Sequence, residues 1–424
     1  MNEQFLHYIW KLRKFDLNGV YHATNGRIRV ISVGVHNHDA GPDFFNAKIE
    51  IDGQLWAGNV EIHVNASDWY LHGHEKDHNY QNVILHVVWE DDVVVYSYDG
   101  RIIPVLVMKP LIGFVTLSNY EKLIKTQKQF INCETRIHEI DHFLWGRWLE
   151  RLFFTRLQSK SAFIEGCLQQ NGNDWEATLF RVLMRNFGFA INADSFESVA
   201  TAVNHRIIRK MQNDYTAFES FLFGMTGLLE GEYSDTYFRD LKKLFCFQQR
   251  KYGLSSGAVI APKFHRLRPL NFPTIRLSQI AHLYSKEVHL FSKIMDSNTK
   301  EAFYELFDVV AGPYWDTHYT FDKPSSKKSK KRTSKAFIDL IIINTVIPLK
   351  FKYAQYAGAS FDEDLIGLME ALLPEKNSII VKFTQLGVKV PNAFRSQSLL
   401  QLYTEYCRKN KCLQCEVGNK LINE

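Results

Sequence analysis

The residues best suited to chemistry lie in two short segments near the N-terminus. The first contains a Pro-Asp step that ends at Asp43, and the second carries Glu61 and His63 within an apolar run. Side chains alternate between the two faces of a strand, so Glu61 and His63 are expected on one face. Hard divalent cations prefer oxygen ligands, and Asp43 and Glu61 suit Mg²⁺ or Mn²⁺. The pattern predicts a divalent-metal catalytic site in which His63 orients or deprotonates a water.

The two segments are predicted to form one hairpin. Apolar and polar residues alternate through residues 44–64 except at Asp52-Gly53, which is typical of a tight turn. Counting back along both strands from a two-residue turn sets Asp43 opposite Ile62. Asp43 would then point to the face away from Glu61 and His63. Cross-strand partners share a face, so the site closes only if a bulge, expected at Gly58, shifts the register by one, or if Asp43 lies outside the pleat.

The pattern of the chain changes after about residue 112. One amphipathic helix over 2–15 and then five or six alternating strands predict an α/β domain over residues 1–112. Apolar residues then recur at helical spacing, which predicts a helical domain over 113–318 and a C-terminal helical segment over 336–424. The lysine-rich stretch 319–335 between them is predicted to be a basic linker or mobile loop.

Composition bounds the class of protein. The 424 residues are 46% hydrophobic and 14% aromatic, which is typical of a globular chain with ample cores. A net charge of +5 permits nucleic acid as a partner. The absence of a P-loop, a dinucleotide-binding glycine pattern and a nucleophile elbow disfavours ATPases, oxidoreductases and serine hydrolases. Without a signal peptide or a membrane-spanning run, we expect a cytoplasmic protein with no membrane partner, and its oligomeric state is not predicted.

Further histidines flank the hairpin on both sides. His36 and His38 precede the Pro-Asp step, and His72, His74 and His78 follow the second strand. His74 and His78 are four residues apart, a spacing that chelates zinc when the segment is helical. Three interpretations stay open for these histidines: a metal site, hydrogen-bonding residues that line a cleft, or exposed loop residues.

Four cysteines form a second candidate metal site. Cys407, Cys412 and Cys415 follow one another with four and two residues between them, and Cys133 is a candidate for the fourth ligand. Four thiolates complete a structural zinc site or an iron–sulfur cluster. Free thiols are the alternative interpretation.

Exposed basic residues offer candidate phosphate contacts. Lys263, Arg266 and Arg268 lie within six residues of one another, and such side chains neutralise backbone phosphates in nucleic-acid complexes. The alternative is that this segment is a solvated surface without a partner.

The chain resembles an uncharacterised bacterial domain-of-unknown-function family, number 2851. The resemblance covers nearly the whole chain, and the name of that family implies no activity. The segments that carry it are Gly41-Pro42-Asp43-Phe44, Gly58-Asn59-Val60-Glu61-Ile62-His63, Asp68-Trp69, His72-Gly73-His74, Asn82-Val83-Ile84-Leu85-His86-Val87-Val88, Arg268-Pro269, Pro273-Thr274-Ile275-Arg276 and Cys412-Leu413-Gln414-Cys415.

The first 100 or so residues also resemble the restriction-endonuclease-like PD-(D/E)XK nuclease superfamily, whose motif is Pro-Asp followed by Asp/Glu-x-Lys. The resemblance implies a restriction-endonuclease-like mixed sheet, with Asp43 and Glu61 as metal ligands and His63 in the position of the usual Lys. Glu3, on the first helix, corresponds to an additional acid that some members place there. In such enzymes the metal lowers the pKa of a bound water and neutralises charge on the scissile phosphate.

Three functions follow from these observations. The first is a metal-dependent nuclease that hydrolyses phosphodiester bonds in DNA or RNA. The second is a non-catalytic protein that binds nucleic acid or protein and retains a degenerate nuclease-like domain. The third is a hydrolase with zinc bound by histidines.

Overall fold

The structure is a computed structural model that describes residues 1–15, 21–23, 26–125, 128–359 and 362–424. The chain divides into two compact units. Unit 1 comprises Met1–Trp148 and Tyr403–Glu424, and unit 2 comprises Leu149–Leu402. The C-terminal segment of the fold, residues 403–424, therefore belongs with the N-terminal part of the chain, whereas residues 336–402 of the predicted C-terminal helical segment belong to unit 2.

Helices occur in both units. The helix α4 begins in unit 1 and continues into unit 2, and α18 belongs to unit 1. The α-helices of the described residues are α1 (Glu3–Lys11), α2 (Asp68–Leu71), α3 (Phe114–Lys125), α4 (His142–Gln170), α5 (Trp175–Phe187), α6 (Phe189–Ala202), α7 (His205–Met211), α8 (Tyr215–Met225), α9 (Thr236–Tyr252), α10 (Pro273–Lys286), α11 (Leu290–Asp296), α12 (Lys300–Leu306), α13 (Lys335–Ile341), α14 (Ile347–Ala357), α15 (Asp362–Ala371), α16 (Ser378–Gln385), α17 (Ala393–Leu402) and α18 (Glu416–Asn423).

A mixed sheet forms the centre of unit 1, as the sequence predicts. Its strands are β1 (Tyr21–Ala23), β2 (Gly26–Ser32), β3 (Val35–His36), β4 (Phe44–Ile51), β5 (Gln54–Asn65), β6 (Val83–Glu90) and β7 (Val105–Val107). The order across the sheet is β1-β2-β4-β5-β6-β7, and β3 pairs with β4. Pairs from β1 to β5 are antiparallel, whereas β5, β6 and β7 run parallel. The hairpin β4–β5 therefore lies in the middle of the sheet.

The first helix packs its apolar face into unit 1. Asn2 caps α1 because its side chain accepts a hydrogen bond from the backbone N–H of Gln4 at 2.8 Å. The indole of Trp10 is fully buried and donates a hydrogen bond to the carbonyl of Val33 at 3.0 Å. These contacts fix α1 against the sheet, so Glu3 and His7, one turn apart, are held on the same side of the helix.

A bulge in β4 brings Asp43 onto the face of the sheet on which Glu61 and His63 are predicted to lie. At the turn Ile51 faces Gln54, but at the far end Phe44 faces Val60, so β4 contains one extra residue. Continuing this register sets Asp43 opposite Glu61. Asn46 accommodates the bulge in the left-handed region with φ of 57°, which asparagine tolerates better than most residues.

The predicted position of the bulge, Gly58, is wrong. Gly58 remains in regular pairing with Ala47, and the extra residue lies on the opposite strand. A Cβ atom at Gly58 would lie 2.5 Å from the side chain of Ile84 and 2.7 Å from the carbonyl of Asn82. Glycine is therefore required there by the close approach of β6, and not by the register shift.

Unit 2 is largely helical, and it contains one small hairpin, β8 (His318–Thr320) and β9 (Lys323–Pro324). In the lysine-rich stretch, Lys331 is fully buried. Its ammonium group donates to the hydroxyl and carbonyl oxygens of Ser329 at 2.8 and 3.0 Å. Among the described residues, the helices do not combine the length and apolarity that crossing a membrane requires.

Candidate metal centre

The two acidic residues of the hairpin hold each other in place. The backbone N–H of Asp43 donates to Oε2 of Glu61 at 3.1 Å, and the N–H of Ile62 donates to Oδ2 of Asp43 at 3.0 Å. Glu61 is only 5% exposed. Burial, and then the charge of Asp43, raise the pKa of the Glu61 carboxyl. The pair is therefore fixed in geometry, and Glu61 is the more buried of the two carboxyl groups.

Three histidines converge beside the other oxygen of Glu61. The imidazoles of His63, His72 and His74 present nitrogen atoms that all lie within 4.8 Å of one another. Nε2 of His63 lies 3.0 Å from Nδ1 of His72. Oε1 of Glu61 lies 3.5 Å from Nε2 of His63 and 3.3 Å from Nε2 of His74. We call these four residues the His₃Glu group.

The spacing within the His₃Glu group also suits a shared ion. Nε2 of His74 is buried and has no aligned hydrogen-bond partner, although Glu61 is near. Ligands about 2.1 Å from one metal ion are spaced about 3.0–3.4 Å apart in octahedral or tetrahedral geometry. The observed spacings of 3.0, 3.3 and 3.5 Å are close to that range. The nitrogen-rich set suits zinc or a similar transition metal.

Neighbouring residues hold the histidine rings in position. Nδ1 of His63 lies 2.9 Å from Nε2 of the fully buried His86, which suits a metal ligand whose second nitrogen is oriented by a hydrogen bond. The ring of Tyr80 stacks on His74 with centroids 3.8 Å apart. Gly73 adopts φ of +73°, a conformation that glycine takes without strain, between His72 and His74.

His63 does not supply the positive charge that a Lys would supply in its position. Its side chain is 1% exposed, and both ring nitrogens face other histidines. Burial, and then the charges that His86, His74 and His72 would carry, lower the pKa of His63 to about 2. The ring is therefore neutral at neutral pH, which favours a role as a ligand over a role as a fixed cation.

A second group of possible ligands adjoins Asp43. The side chains of Glu3, His7 and Asp43 have ligand atoms within 4.8 Å of one another. Nε2 of His7 lies 3.1 Å from Oδ2 of Asp43 and 3.7 Å from Oε1 of Glu3. Burial alone would lower the pKa of His7, but the hydrogen bond and charge of Asp43 and the charge of Glu3 raise it. We call these residues the Glu3–His7–Asp43 group.

The remaining predicted histidines lie outside the His₃Glu group. His36 contacts His7, with ring centroids 5.7 Å apart, and burial and then the charge of Lys11 lower its pKa to about 4. His38 packs against His36 at 4.4 Å between ring centroids and is exposed. His78 is exposed and packs on Tyr98. The chain between His74 and His78 is interrupted at Asp77, which is extended, so the two do not share a helix face.

The other candidate residues of the sequence lie elsewhere. The four cysteines all belong to unit 1. Lys263, Arg266 and Arg268 belong to unit 2, where the backbone N–H of Lys263 donates to the side chain of Asn192 at 2.7 Å.

Sequence reasoning missed two residues of the centre. His7 is the cationic member of the Glu3–His7–Asp43 group, and its spacing of four residues from Glu3 on an amphipathic helix was the available signal. His86 supports His63 from the neighbouring parallel strand, and no local pattern indicates that pairing.

Comparison with known proteins gives a family without an activity. Residues 3–378 match the family model described as protein of unknown function (DUF2851). No curated protein and no solved structure matches the chain. A functional assignment therefore depends on the geometry of the centre itself.

Proposed function

We propose that this chain, which belongs to the DUF2851 family of proteins of unknown function, is a metal-dependent hydrolase of phosphodiester bonds in DNA or RNA. The observation that supports this proposal is the convergence of His63, His72 and His74, with Glu61 beside two of them and Asp43 hydrogen-bonded to Glu61. Nε2 of His74 is buried without an aligned hydrogen-bond partner, which is costly without an ion, because a buried polar atom left without a partner destabilises the fold.

The ligand chemistry favours a transition metal over Mg²⁺. Three imidazoles and one carboxylate suit Zn²⁺, Mn²⁺ or Fe²⁺, whereas Mg²⁺ prefers oxygen ligands and keeps several waters. A metal bound there would lower the pKa of a coordinated water and polarise a phosphoryl oxygen. This proposal joins the predicted nuclease chemistry with the predicted zinc–histidine site, and it makes Glu61 the residue common to both.

The Glu3–His7–Asp43 group would supply the acid–base and charge functions. Burial lowers the pKa of His7, but the hydrogen bond and charge of Asp43 and the charge of Glu3 raise it above its ordinary value, which favours the protonated ring. A protonated imidazole stabilises a developing phosphorane charge and donates a proton to the leaving oxygen. His7 would thus act as an acid, a role different from the water-activating role that the sequence pattern assigns to His63, while Asp43 and Glu3 orient its ring.

The phosphodiester substrate is supported by the Pro-Asp and Glu-x-His pattern on a central hairpin. The sheet is mixed, with the antiparallel hairpin β4–β5 followed by the parallel strand β6, and the proposal adopts for it the restriction-endonuclease-like arrangement that the resemblance implies. The net charge of +5 suits a polyanionic substrate.

The test combines metal analysis with cleavage assays on the full chain. Labelled single- and double-stranded DNA and single-stranded RNA are incubated with Mg²⁺, Mn²⁺, Zn²⁺ or Co²⁺. We expect cleavage with a transition metal, and a loss of about 100-fold or more in Glu61→Ala and His74→Ala. Metal bound per chain should fall in parallel. His78→Ala is the matched control, because His78 is an exposed histidine of the same connection outside the His₃Glu group.

Two results would separate this proposal from its alternative. Intact substrates with every metal, together with stoichiometric metal binding that Glu61→Ala abolishes, would favour a non-catalytic protein with a structural metal. The neutral, buried state of His63 is the observation that favours this alternative. Absence of both cleavage and metal binding would contradict the proposal altogether.

A further inference from the structure

The cysteine group consists of residues from two distant segments of unit 1. Cys133 follows α3, and the other three lie in the C-terminal segment. The amide of Asn132 donates a hydrogen bond to Sγ of Cys412 at 3.4 Å, which joins the two segments directly beside Cys133. The members of the cysteine group are Cys133, Cys407, Cys412 and Cys415.

Other contacts fix the C-terminal segment in the same place. The guanidinium of Arg136 donates to the carbonyl of Leu421 at 3.0 Å, and the amide of Asn423 donates to the hydroxyl of Tyr8 at 2.9 Å. A Cβ atom on Gly418 would lie 2.0 Å from the carbonyl oxygen of Cys412, so the chain is closely packed around this cysteine. These contacts hold the two segments that carry the cysteine group in fixed positions.

The four thiols are neighbours, and each of them is at least partly buried. Each pair within the group is close enough for the charge of one sulfur to affect the pKa of another. Burial, and then the neighbouring thiols, raise the pKa of Cys133 to about 12. Burial raises the pKa of Cys415 to about 11, although backbone N–H groups of Val417 and Gly418 face its sulfur. Cys415 is buried and the other three cysteines are half-buried, and four neighbouring thiols of this kind provide a complete set of metal ligands.

We propose that the cysteine group binds an iron–sulfur cluster that fastens the C-terminal segment to the N-terminal part of unit 1. This inference is independent of the proposed hydrolase function, because it uses none of the residues of the His₃Glu group. For the cluster to bind, each of the four thiols must lose its proton to solvent. The resulting thiolates then bond to iron, and sulfide binds as the other component of the cluster.

The spacing of the sulfurs favours a cluster over a single zinc ion. Tetrahedral zinc with bonds of about 2.3 Å requires sulfurs about 3.8 Å apart. Among the described residues, no three sulfurs of the group lie within 4.8 Å of one another. A polynuclear cluster holds its thiolates farther apart, because each binds a different iron atom or an opposite side of the cluster.

The sequence spacing also agrees with a cluster. Cys407, Cys412 and Cys415 reproduce the C-x₄-C-x₂-C spacing of plant-type ferredoxins, with the remote fourth cysteine before the run instead of after it. Cys407 ends a π-helical turn, Tyr403–Cys407, a conformation frequently found at functional sites. Lys128 contributes positive charge beside Cys407 and Cys412, which offsets the negative charge of ligated thiolates.

The experiment uses the full chain, expressed with added iron and purified without oxygen. Iron, zinc and acid-labile sulfide are measured per chain, and visible absorption is recorded before and after reduction with dithionite. We expect iron and sulfide in comparable amounts and a visible absorption band that reduction bleaches. Cys133→Ser and Cys412→Ser should lose iron and sulfide together, whereas Cys246→Ser, an exposed cysteine of unit 2, should keep both.

Several outcomes would overturn the proposal. Zinc at one ion per chain without sulfide would replace the cluster by a zinc site, and iron without sulfide would indicate adventitious binding. A folded wild-type chain with neither iron nor zinc would leave the thiols free. Because the wild-type measurement needs no variant, misfolding of a serine variant does not obscure the result.

Discussion

Two buried glutamates, one in each unit, differ in how their surroundings satisfy them. Glu219 in unit 2 is fully buried, and its two carboxylate oxygens accept hydrogen bonds from Tyr215 at 2.6 Å, from Trp315 at 2.9 Å and from Tyr237. Ser278 in turn hydrogen-bonds to the hydroxyl of Tyr215. This carboxylate has a complete set of donors and needs no further ligand.

Glu61 in unit 1 is nearly as buried, but its surroundings are different. One oxygen accepts the backbone N–H of Asp43, and the other faces His63 and His74, neither of which is aligned to donate to it as a hydrogen bond. A closed network stabilises a fold, whereas convergent donors without aligned partners indicate a site that is completed by a ligand. Glu219 is thus a structural carboxylate, whereas Glu61 is the carboxylate for which we propose a function.

The largest expected effect concerns stability. Glu219→Ala leaves two tyrosine hydroxyls and the Trp315 indole without their acceptor in a dry core, so we expect a loss of about 3–5 kcal/mol in the free energy of unfolding. Glu61→Ala in metal-free protein should change that free energy by less than about 1 kcal/mol, because it also removes a desolvated carboxylate. Urea denaturation followed by circular dichroism measures both. Equal losses in the two variants would contradict the distinction.

The next prediction concerns the support of the centre. His86→Leu removes the partner of His63 Nδ1, so we expect metal affinity to fall about 10–100-fold while the ligands themselves remain. Isothermal titration with Zn²⁺ or Mn²⁺ measures the change. His78→Leu, an exposed histidine of unit 1, should bind metal as the wild type does. Unchanged affinity in His86→Leu would show that His86 is only a core residue.

His205 in unit 2 allows a test of how burial changes the pKa of a histidine, and no metal or other ligand takes part in that test. Neither ring nitrogen of His205 has an aligned hydrogen-bond partner, and burial lowers its pKa to about 4 despite Asp174 nearby. The unfolded chain then binds more protons than the folded chain between about pH 4 and 6.5, so stability falls as pH decreases through this window.

The size of that effect follows from the two pKa values. Between pH 7 and pH 5 the contribution of His205 amounts to about 2 kcal/mol of stability lost. His205→Phe should remove this part of the pH dependence, and urea denaturation at both pH values measures it. His265→Phe, an exposed histidine of the same unit, is the control and should retain the wild-type dependence. If the stability of His205→Phe changes with pH as steeply as that of the wild type, the lowered pKa of His205 is contradicted.

The sequence predicts local features of unit 1 well and its long-range pairings poorly. Alternation and the Asp52-Gly53 turn give the hairpin, and period two places Glu61 and His63 on one face. The sequence also indicates that the register requires a bulge. It does not locate the bulge, because the extra residue depends on the left-handed conformation of Asn46 and not on a glycine.

Residues contributed by separate elements are harder to foresee. Asp43, Glu61 and His63 follow from one hairpin, but the placement of His7 requires the packing of α1, and that of His72 and His74 requires the loop after β5. The assignment of Tyr403–Glu424 to unit 1 is another case, because its contacts span most of the chain length. Sequence periodicity reports on neighbours along the chain and carries no information about such distant pairings.

The smallest expected effect concerns the bulge that positions Asp43. Asn46 has φ of 57°, and its backbone N–H donates to the side chain of Asn59 at 3.4 Å. Asn46→Ala should therefore cost about 1 kcal/mol, because alanine tolerates the left-handed region less well, whereas Asn46→Gly should stay within about 0.5 kcal/mol of the wild type. Lys48→Ala, an exposed position on the same strand, controls for loss of a surface side chain.

The same variants connect the bulge to the centre. If the bulge sets the register, metal affinity and stability both depend on Asp43 remaining opposite Glu61. Both quantities should therefore fall in Asn46→Ala, and both should stay at the wild-type level in Asn46→Gly. Thermal unfolding and metal titration of the same samples measure the two quantities. An Asn46→Gly variant that folds normally but loses metal would show that the asparagine side chain, and not the backbone conformation, holds the strands in register.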